Sequence, residues 1–367
     1  MPEKTTAPVA TEALTSEKPA IPLDELITLA IEKEAASIHF GEGRRIGLRI
    51  GGKFTFIENV EKLSQKDADS LIAPMIQGDD MSLELLQKKR EIDFSYTHKT
   101  GVNFRVNIFY QRGHLCAVMR AVPHHIPTMN ELGTPEAIRK FLSVKEGLIL
   151  VVGPAGSGKT TTAQAMLEHI NENSVSHIMT VENPIEYIFD DKKSFFSQRE
   201  VGKDVFDIPS ALHSVDHKDA NVIMVSNIDN CETLEAVLTA VELGHLVIAN
   251  MTTKNARQTL ERIQSMCPAD QKDQLRERIA NDLTAILAQD LAPKADGTGQ
   301  VAVYEVLINT PQVKRVLRVG SVSQIENAIH AGGEREHMVT LSDYAYRLSE
   351  LGIITEEAYR RVNGDVE

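Results

Sequence analysis

The stretch Leu148-Ile149-Leu150-Val151-Val152-Gly153-Pro154-Ala155-Gly156-Ser157-Gly158-Lys159-Thr160 decides how the rest of the chain is read. Its five apolar residues, ended by a glycine, predict a short strand buried on both faces. The eight residues that follow fit G-x-x-x-x-G-K-T, and a strand before them with a helix after them is the context a phosphate-binding loop requires. Glycines let successive backbone N–H groups turn inward around phosphate oxygens, and the helix N-terminus adds positive potential. Lys159 is placed to reach the β- and γ-phosphates and Thr160 to ligate Mg²⁺. The predicted nucleotide contacts are Gly153, Pro154, Ala155, Gly156, Ser157, Gly158, Lys159, Thr160 and Thr161, with ATP and Mg²⁺ as cofactors.

Working outward, short apolar runs at 177–181, 222–225 and 246–249 alternate with helical patterns. Strands alternating with helices imply an α/β unit whose parallel sheet is covered on both faces. From residue 254 the pattern turns helical, at 256–266, 272–291, 311–318, 322–329, 339–351 and 355–362, with one late strand at 301–308. Upstream, Leu23, Leu26, Ile27, Ala30 and Ile31 recur at helical spacing. Runs at 37–40, 45–50, 54–57, 92–96, 103–110 and 115–121 alternate at strand period, helices are expected at 65–76 and 81–89, and Gly51-Gly52 reads as a hairpin turn. The expected organisation is a disordered tail (1–20), a small α+β domain (21–123), a linker (124–140) and a nucleotide-binding domain with a helical C-terminal region (141–367).

Composition narrows the function. At roughly 150 residues per domain, 367 residues predict about two domains. A net charge of −13 argues against phosphate-backbone binding over a broad surface, so no nucleic-acid partner is expected. Cys116, Cys231 and Cys267 show no C-x-x-C spacing, which predicts free thiols and neither a disulfide nor a zinc site. The twelve histidines show no ligand spacing, so no metal beyond Mg²⁺ is expected. His245 reads equally as a hydrogen-bonded structural residue or a catalytic one. The longest apolar stretch, 147–153, is far short of the roughly 20 residues of a membrane span. Residues 1–20 lack the apolar segment of a signal peptide, and a cytoplasmic location is expected.

Hydrolysis needs an ionised carboxylate to orient or deprotonate water, which binding does not. The strand Val222-Ile223-Met224-Val225 ends instead in Ser226-Asn227. An amide holds a water but accepts no proton, and losing a positioned general base costs on the order of 10²–10⁴ in rate. Two carboxylates could substitute: Asp229, two residues further on, and Glu182, at the end of another apolar run.

The segments 153–160, Glu182-Asn-Pro-Ile-Glu186, Gln198-Arg-Glu-Val-Gly202, Glu232-Thr233 and Gly244-His-Leu-Val247 resemble, in order and spacing, the type II/IV secretion ATPases, and among them the pilus-retraction motors. Ile92-Asp-Phe-Ser95, Phe104-Arg-Val-Asn107, Gln111-Arg-Gly113 and Arg120 extend the resemblance over about residues 22–362. It implies a PAS-like first domain, a RecA-like second one and a six-subunit ring with ATP between neighbours. Arg105, Arg120 and Arg112 match basic residues that a neighbour supplies in trans. It also implies an inner-membrane platform protein as partner and a cytoplasmic location peripheral to that membrane.

The departures from the family pattern concentrate on the hydrolytic side. Asn227 stands for the expected Glu, Thr252 for a His, Asn183 for an Asp, Asp229 for an Arg, and His213 and His217 for arginines. The resulting expectation is an accessory or regulatory paralogue, in a homo- or hetero-hexamer with an active motor, that binds ATP with weak or no hydrolysis. The alternative is an active hexameric ATPase driving pilus retraction through Glu182 or Asp229. A kinase built on the same loop is disfavoured, because no compact arginine cluster follows it.

Overall fold

The computed structural model describes residues 21–363 apart from 52, 59, 78, 123–124 and 216–218. The chain forms two compact units, divided after residue 124, with Pro184–Glu186 grouped with the first. The expected tail and His217 lie outside the described residues.

The first unit runs α1 (Leu23–Glu32), β1 (Ser37–Gly41), β2 (Gly47–Ile50), β3 (Lys53–Phe56), α2 (Gln65–Ile76), α3 (Asp80–Lys89), β4 (Glu91–Thr97), β5 (Asn103–Gln111) and β6 (His114–Ala121). Its strands form an antiparallel sheet in the order β3-β2-β1-β6-β5-β4. The strand-period alternation sets its two faces: Ile38, Phe40, Phe104, Val106 and Ile108 are buried against Leu26 and Ile27 of α1 and Leu71 and Ile72 of α2. Ser37, His39, Arg105, Asn107 and Arg120 fall on the other face by the same alternation. Helix α2 starts where the sequence places a reciprocal cap: Asp67 N–H donates to Ser64 Oγ at 3.2 Å, and Ser64 N–H to the Asp67 carboxylate at 2.9 Å. At the β2–β3 hairpin Ile50 pairs with Lys53, and Gly51 takes a φ of +53°, a left-handed conformation that glycine adopts readily.

The second unit adds α4 (Glu136–Phe141), β7 (Gly147–Val152), α5 (Lys159–Asn173), β8 (His177–Glu182), β9 (Phe195–Glu200), α6 (Ile208–His213), β10 (Val222–Val225), α7 (Cys231–Glu242), β11 (Leu246–Met251), α8 (Ala256–Met266), α9 (Lys272–Asp282), β12 (Leu283–Pro293), β13 (Gln300–Ile308), α10 (Pro311–Val319), α11 (Ile325–Glu336), α12 (Leu341–Glu350) and α13 (Glu356–Asn363). The sheet order is β13-β12-β7-β11-β10-β8-β9, parallel from β12 to β9 with β13 antiparallel at one edge. Every β7 residue is buried. Leu148, Leu150 and Val152 pack with α7 and α8 on one face, while Ile149 and Val151 pack with Met166, Leu167 and Ile170 of α5 on the other. A strand enclosed on both sides explains why this run is continuously apolar.

Three expectations are corrected. Residues 283–291 belong to strand β12, not to a helix running to 291: helix α9 ends at Asp282, and Ile286, Leu287 and Ala288 are fully buried beside β7. A run buried on both faces shows neither period, and length alone misreads it. The stretch read as a linker, 124–140, joins the second unit from residue 125 and carries the start of α4. Met129 and Ile138 are buried in that unit, and the Tyr304 hydroxyl donates to Leu132 O at 3.1 Å.

Cys231 and Cys267, read as free thiols, are joined by a disulfide with their Cα atoms 5.0 Å apart, and only Cys116 stays a free, buried thiol. Thirty-six residues separate the pair. Tertiary packing alone brings the start of α7 to the end of α8, so no short-range spacing announces the bond. Strand β9 is an addition: its Ser197-Gln198-Arg199-Glu200 segment is polar because it forms the sheet edge.

Candidate functional site

The loop between β7 and α5 is built as its glycines require. Gly156 and Gly158 take φ of +80° and +83°, which side-chain-bearing residues rarely adopt. A Cβ on Gly153 would lie 2.2 Å from Gln289 O, and one on Gly158 would lie 2.8 Å from Gln289 Nε2. Gly158 caps α5 without a side chain, leaving the first N–H groups of a 15-residue helix open at its positive end. Lys159 Nζ donates to Pro154 O at 2.7 Å, and burial lowers the pKa of its ammonium. The lysine is thus folded back on its own loop.

Behind the loop stands a residue that sequence reading missed. Gln289 of β12 donates from Nε2 to Ser157 O at 2.7 Å and accepts from Thr162 Oγ1 at 2.6 Å, and all three residues are buried. One amide therefore locks the loop to the first turn of α5. The sequence signal is a polar pair, Gln289-Asp290, inside a mostly apolar run.

At the carboxyl ends of the strands the register sets the level of each residue. Met251 pairs with Val152 and Ala249 with Val225, so Asn227 stands level with Met251 and Val152 across the sheet. Ile228 N–H donates to Asn250 O at 2.8 Å, which keeps the chain extended past the end of β10. Asn227 is half-buried, while Asp229 and Thr252 are exposed. Asp229 Oδ1 accepts from Asn230 Nδ2 at 2.9 Å, and Arg262 Nη1 donates to Thr252 O at 3.0 Å. Thr252 lines an open cleft with Pro154 and Ala155 of the phosphate loop.

Glu182 is placed otherwise. It is 1% exposed, and Gln164 Nε2 of α5 donates to its Oε2 at 2.9 Å. Its Oε1 accepts from Thr180 Oγ1 at 2.7 Å and from Gln198 Nε2 at 3.1 Å. Gln164 ties this carboxylate to the helix that begins at Lys159. Ser157 Oγ, Gln164 Oε1, Ser226 Oγ and Asn250 Oδ1, in the phosphate loop, in α5 and at the ends of β10 and β11, are buried polar atoms without a hydrogen-bond partner within the protein.

Arg105 and Arg120 face each other directly on β5 and β6. Like charges in register repel unless an anion lies between or beside them. Arg105 partly meets that need within the first unit, with Nη1 3.3 Å from Glu186 Oε1 and Nε 3.7 Å from Asp93. Arg120 is exposed, and Arg112 is exposed at the β5–β6 turn with a φ of +53°. His245 takes the structural alternative: it precedes β11, at the opposite end of the parallel strands from the loop, and its Nδ1 is 2.7 Å from Ala220 O.

A parallel sheet with a glycine loop between a buried central strand and the helix after it, and with polar groups gathered at the strands' carboxyl ends, defines a P-loop nucleotide-binding fold. The family described as type II/IV secretion system protein matches residues 14–335, and the chain belongs to it. It is 34% identical over 338 residues to the type IV pilus retraction ATPase PilT of Pseudomonas aeruginosa, covering 92% of this chain and 97% of that one. It is 32% identical over 334 residues to the type IV pilus ATPase PilU of the same organism, covering 91% and 86%. A crystal structure of the pilus retraction motor PilT with bound ADP superposes with a TM-score of 0.83, at 34% identity and over 93% of this chain and 97% of that one. Among the described residues no helix is long and apolar enough to cross a membrane.

Proposed function

We propose that this chain is an ATP-binding subunit of a hexameric type IV pilus retraction motor, in an accessory or regulatory role with slow or no hydrolysis. In this reading the first unit is PAS-like and the second RecA-like. The subunit works in the cytoplasm beside an active paralogue and against an inner-membrane platform protein, and Arg105, Arg120 and Arg112 serve a neighbour's nucleotide. The observation that carries it is the contrast at one end of the sheet. The phosphate loop keeps its glycines, lysine and hydroxyls, while β10 runs out into Ser226-Asn227, with no carboxylate on either residue.

The chemistry available follows from the residues. The backbone N–H groups of residues 156–160 and the Lys159 ammonium bind the phosphates. Thr160 would hold Mg²⁺, which supplies charge neutralisation between the β- and γ-phosphates when bound. Asn227 orients a water but cannot take its proton, so the barrier stays high while binding is kept. Binding alone has a use, because a ligand that prefers one domain arrangement shifts the population toward it.

One observation favours a second reading, the working motor. Glu182 is buried at the end of β8 and held on α5 by Gln164, whereas Asp229 is exposed and turned to Asn230. Steady-state ATPase of the purified chain separates the two. In the accessory role, turnover stays within a few-fold of Lys159→Ala while Mg·ATP still binds the unaltered chain. Turnover well above that background refutes it, and abolition of that turnover by Glu182→Gln assigns the base to Glu182.

A further inference from the structure

The outer face of the first unit's sheet holds a cleft of about 380 Å³ that the retraction-motor reading does not use. Its walls are aromatic. Phe54 and Phe56 of β3 are 46% and 49% exposed, in a chain with no tryptophan and only 5% aromatic residues. The Phe54 ring occupies the space over Gly47, where a Cβ would lie 2.2 Å from its Cε1. His39 meets Phe54 edge-on with centroids 5.0 Å apart, and Phe54 and Phe56 stand 5.9 Å apart. Phe109 closes the cleft from β5.

Its rim is cationic. Arg44, Arg45 and Lys62 line it, no carboxylate does, and among the described residues none of the three is ion-paired. That is unusual in a protein of net charge −13. The Arg45 guanidinium carbon stands 5.0 Å from the Phe56 centroid, and a guanidinium held by a ring face keeps most of its N–H donors available. Only one of them is engaged nearby, to Ile57 O at 3.4 Å.

Flat apolar walls with unpaired cations at the rim suit a ligand that is aromatic at one end and anionic at the other. A bare phosphate would leave the rings unused, and a neutral aromatic would leave the cations unpaired. We infer that this cleft is a second nucleotide site, separate from the phosphate loop, in which a purine stacks on Phe54 and meets the edge of Phe56, whose ring stands at 74° to that of Phe54, and its phosphate pairs with Arg44, Arg45 and Lys62. The volume lies within the range of small-ligand pockets.

The test uses the full chain carrying Lys159→Ala, so that the phosphate loop is silenced and the result is independent of the function proposed for it. Equilibrium dialysis with AMP should find one molecule bound per chain. Adenosine and inorganic phosphate should each bind at least about tenfold more weakly. Phe54→Ala should lower AMP affinity by about 5- to 150-fold, the span measured for loss of one stacked base. Arg45→Glu should lower it similarly and flatten its dependence on salt. An unchanged thermal melt for each variant excludes a folding defect. No AMP binding up to millimolar concentration, or binding untouched by both substitutions, overturns the inference. So does an assembly that Arg45→Glu dissociates without any nucleotide bound, because the cleft is then a contact between copies of this chain.

Discussion

Replacing Gln289 by leucine tests how the phosphate loop is held in place. The amide makes two hydrogen bonds, to Ser157 O at 2.7 Å and from Thr162 Oγ1 at 2.6 Å, and its partners are buried. Leucine fills a similar volume but leaves Ser157 O without a donor, at about 1–3 kcal/mol for a buried orphaned group. Thr162 loses less, because its hydroxyl can turn to the Gly158 carbonyl four residues back, to which the Thr162 N–H already donates at 3.0 Å. The two together give about 2–4 kcal/mol of lost stability in the second unit. The loop, released on one side, should bind Mg·ATP at least tenfold more weakly. Denaturant unfolding followed with a probe in the second unit, with calorimetry for the nucleotide, measures both. A double cycle with Thr162→Val isolates the shared bond: the pair should cost less than the sum of the singles, because the double variant leaves no orphan between positions 162 and 289. If Gln289→Leu lies within about 0.5 kcal/mol of the parent and binds nucleotide equally well, then Gln289 does not hold the loop and the reasoning fails.

Two further outcomes concern stability. Reducing the Cys231–Cys267 bond opens a 36-residue loop, for which chain entropy gives about 4 kcal/mol, so the melting transition of the second unit should fall on adding dithiothreitol. Under denaturant, one reactive thiol per chain should be found without reductant and three with it, and three in both cases would disprove the bond. Asp282, at the C-terminus of α9, has its pKa raised to about 6 by burial and then by the nearby Glu242, and its Oδ2 has no partner. Its folded pKa exceeds its unfolded one, so the ionised form weakens the fold above about pH 6, and the penalty fades as pH falls toward 4. Asp282→Asn should therefore stabilise by about 1 kcal/mol at pH 8, after allowance for screening at a half-exposed site, and by nothing measurable at pH 4. Equal effects at both pH values would reject that account.

Local patterns were legible where one element carries its own signal. The hairpin at Gly51, the alternation along β5 and the helix at 256–266 each follow from a period or a turn residue within a dozen positions. Strand β12 is not legible because burial on both faces erases the period, and the segment 125–140 is not because Pro127 and Gly133 suggest a loop while Met129 and Ile138 are buried in the second unit's core. Glu182 is legible from its place at a strand end, but nothing local tells that Gln164, Thr180 and Gln198 all donate to it.

The sequence by itself determined the phosphate loop, because its conformation depends on eight contiguous residues: two glycines that can take positive φ and a helix that starts at the lysine. It also determined the missing carboxylate after Val225, which is a matter of identity and not of geometry. Sheet order alone decided which distant side chains meet that loop. By placing β12 beside β7, the order β13-β12-β7-β11-β10-β8-β9 brings Gln289 to Ser157 across 132 residues, and packing on the same sheet joins Cys231 to Cys267. Such contacts depend on how strands order across the chain, and no window of local sequence contains that information.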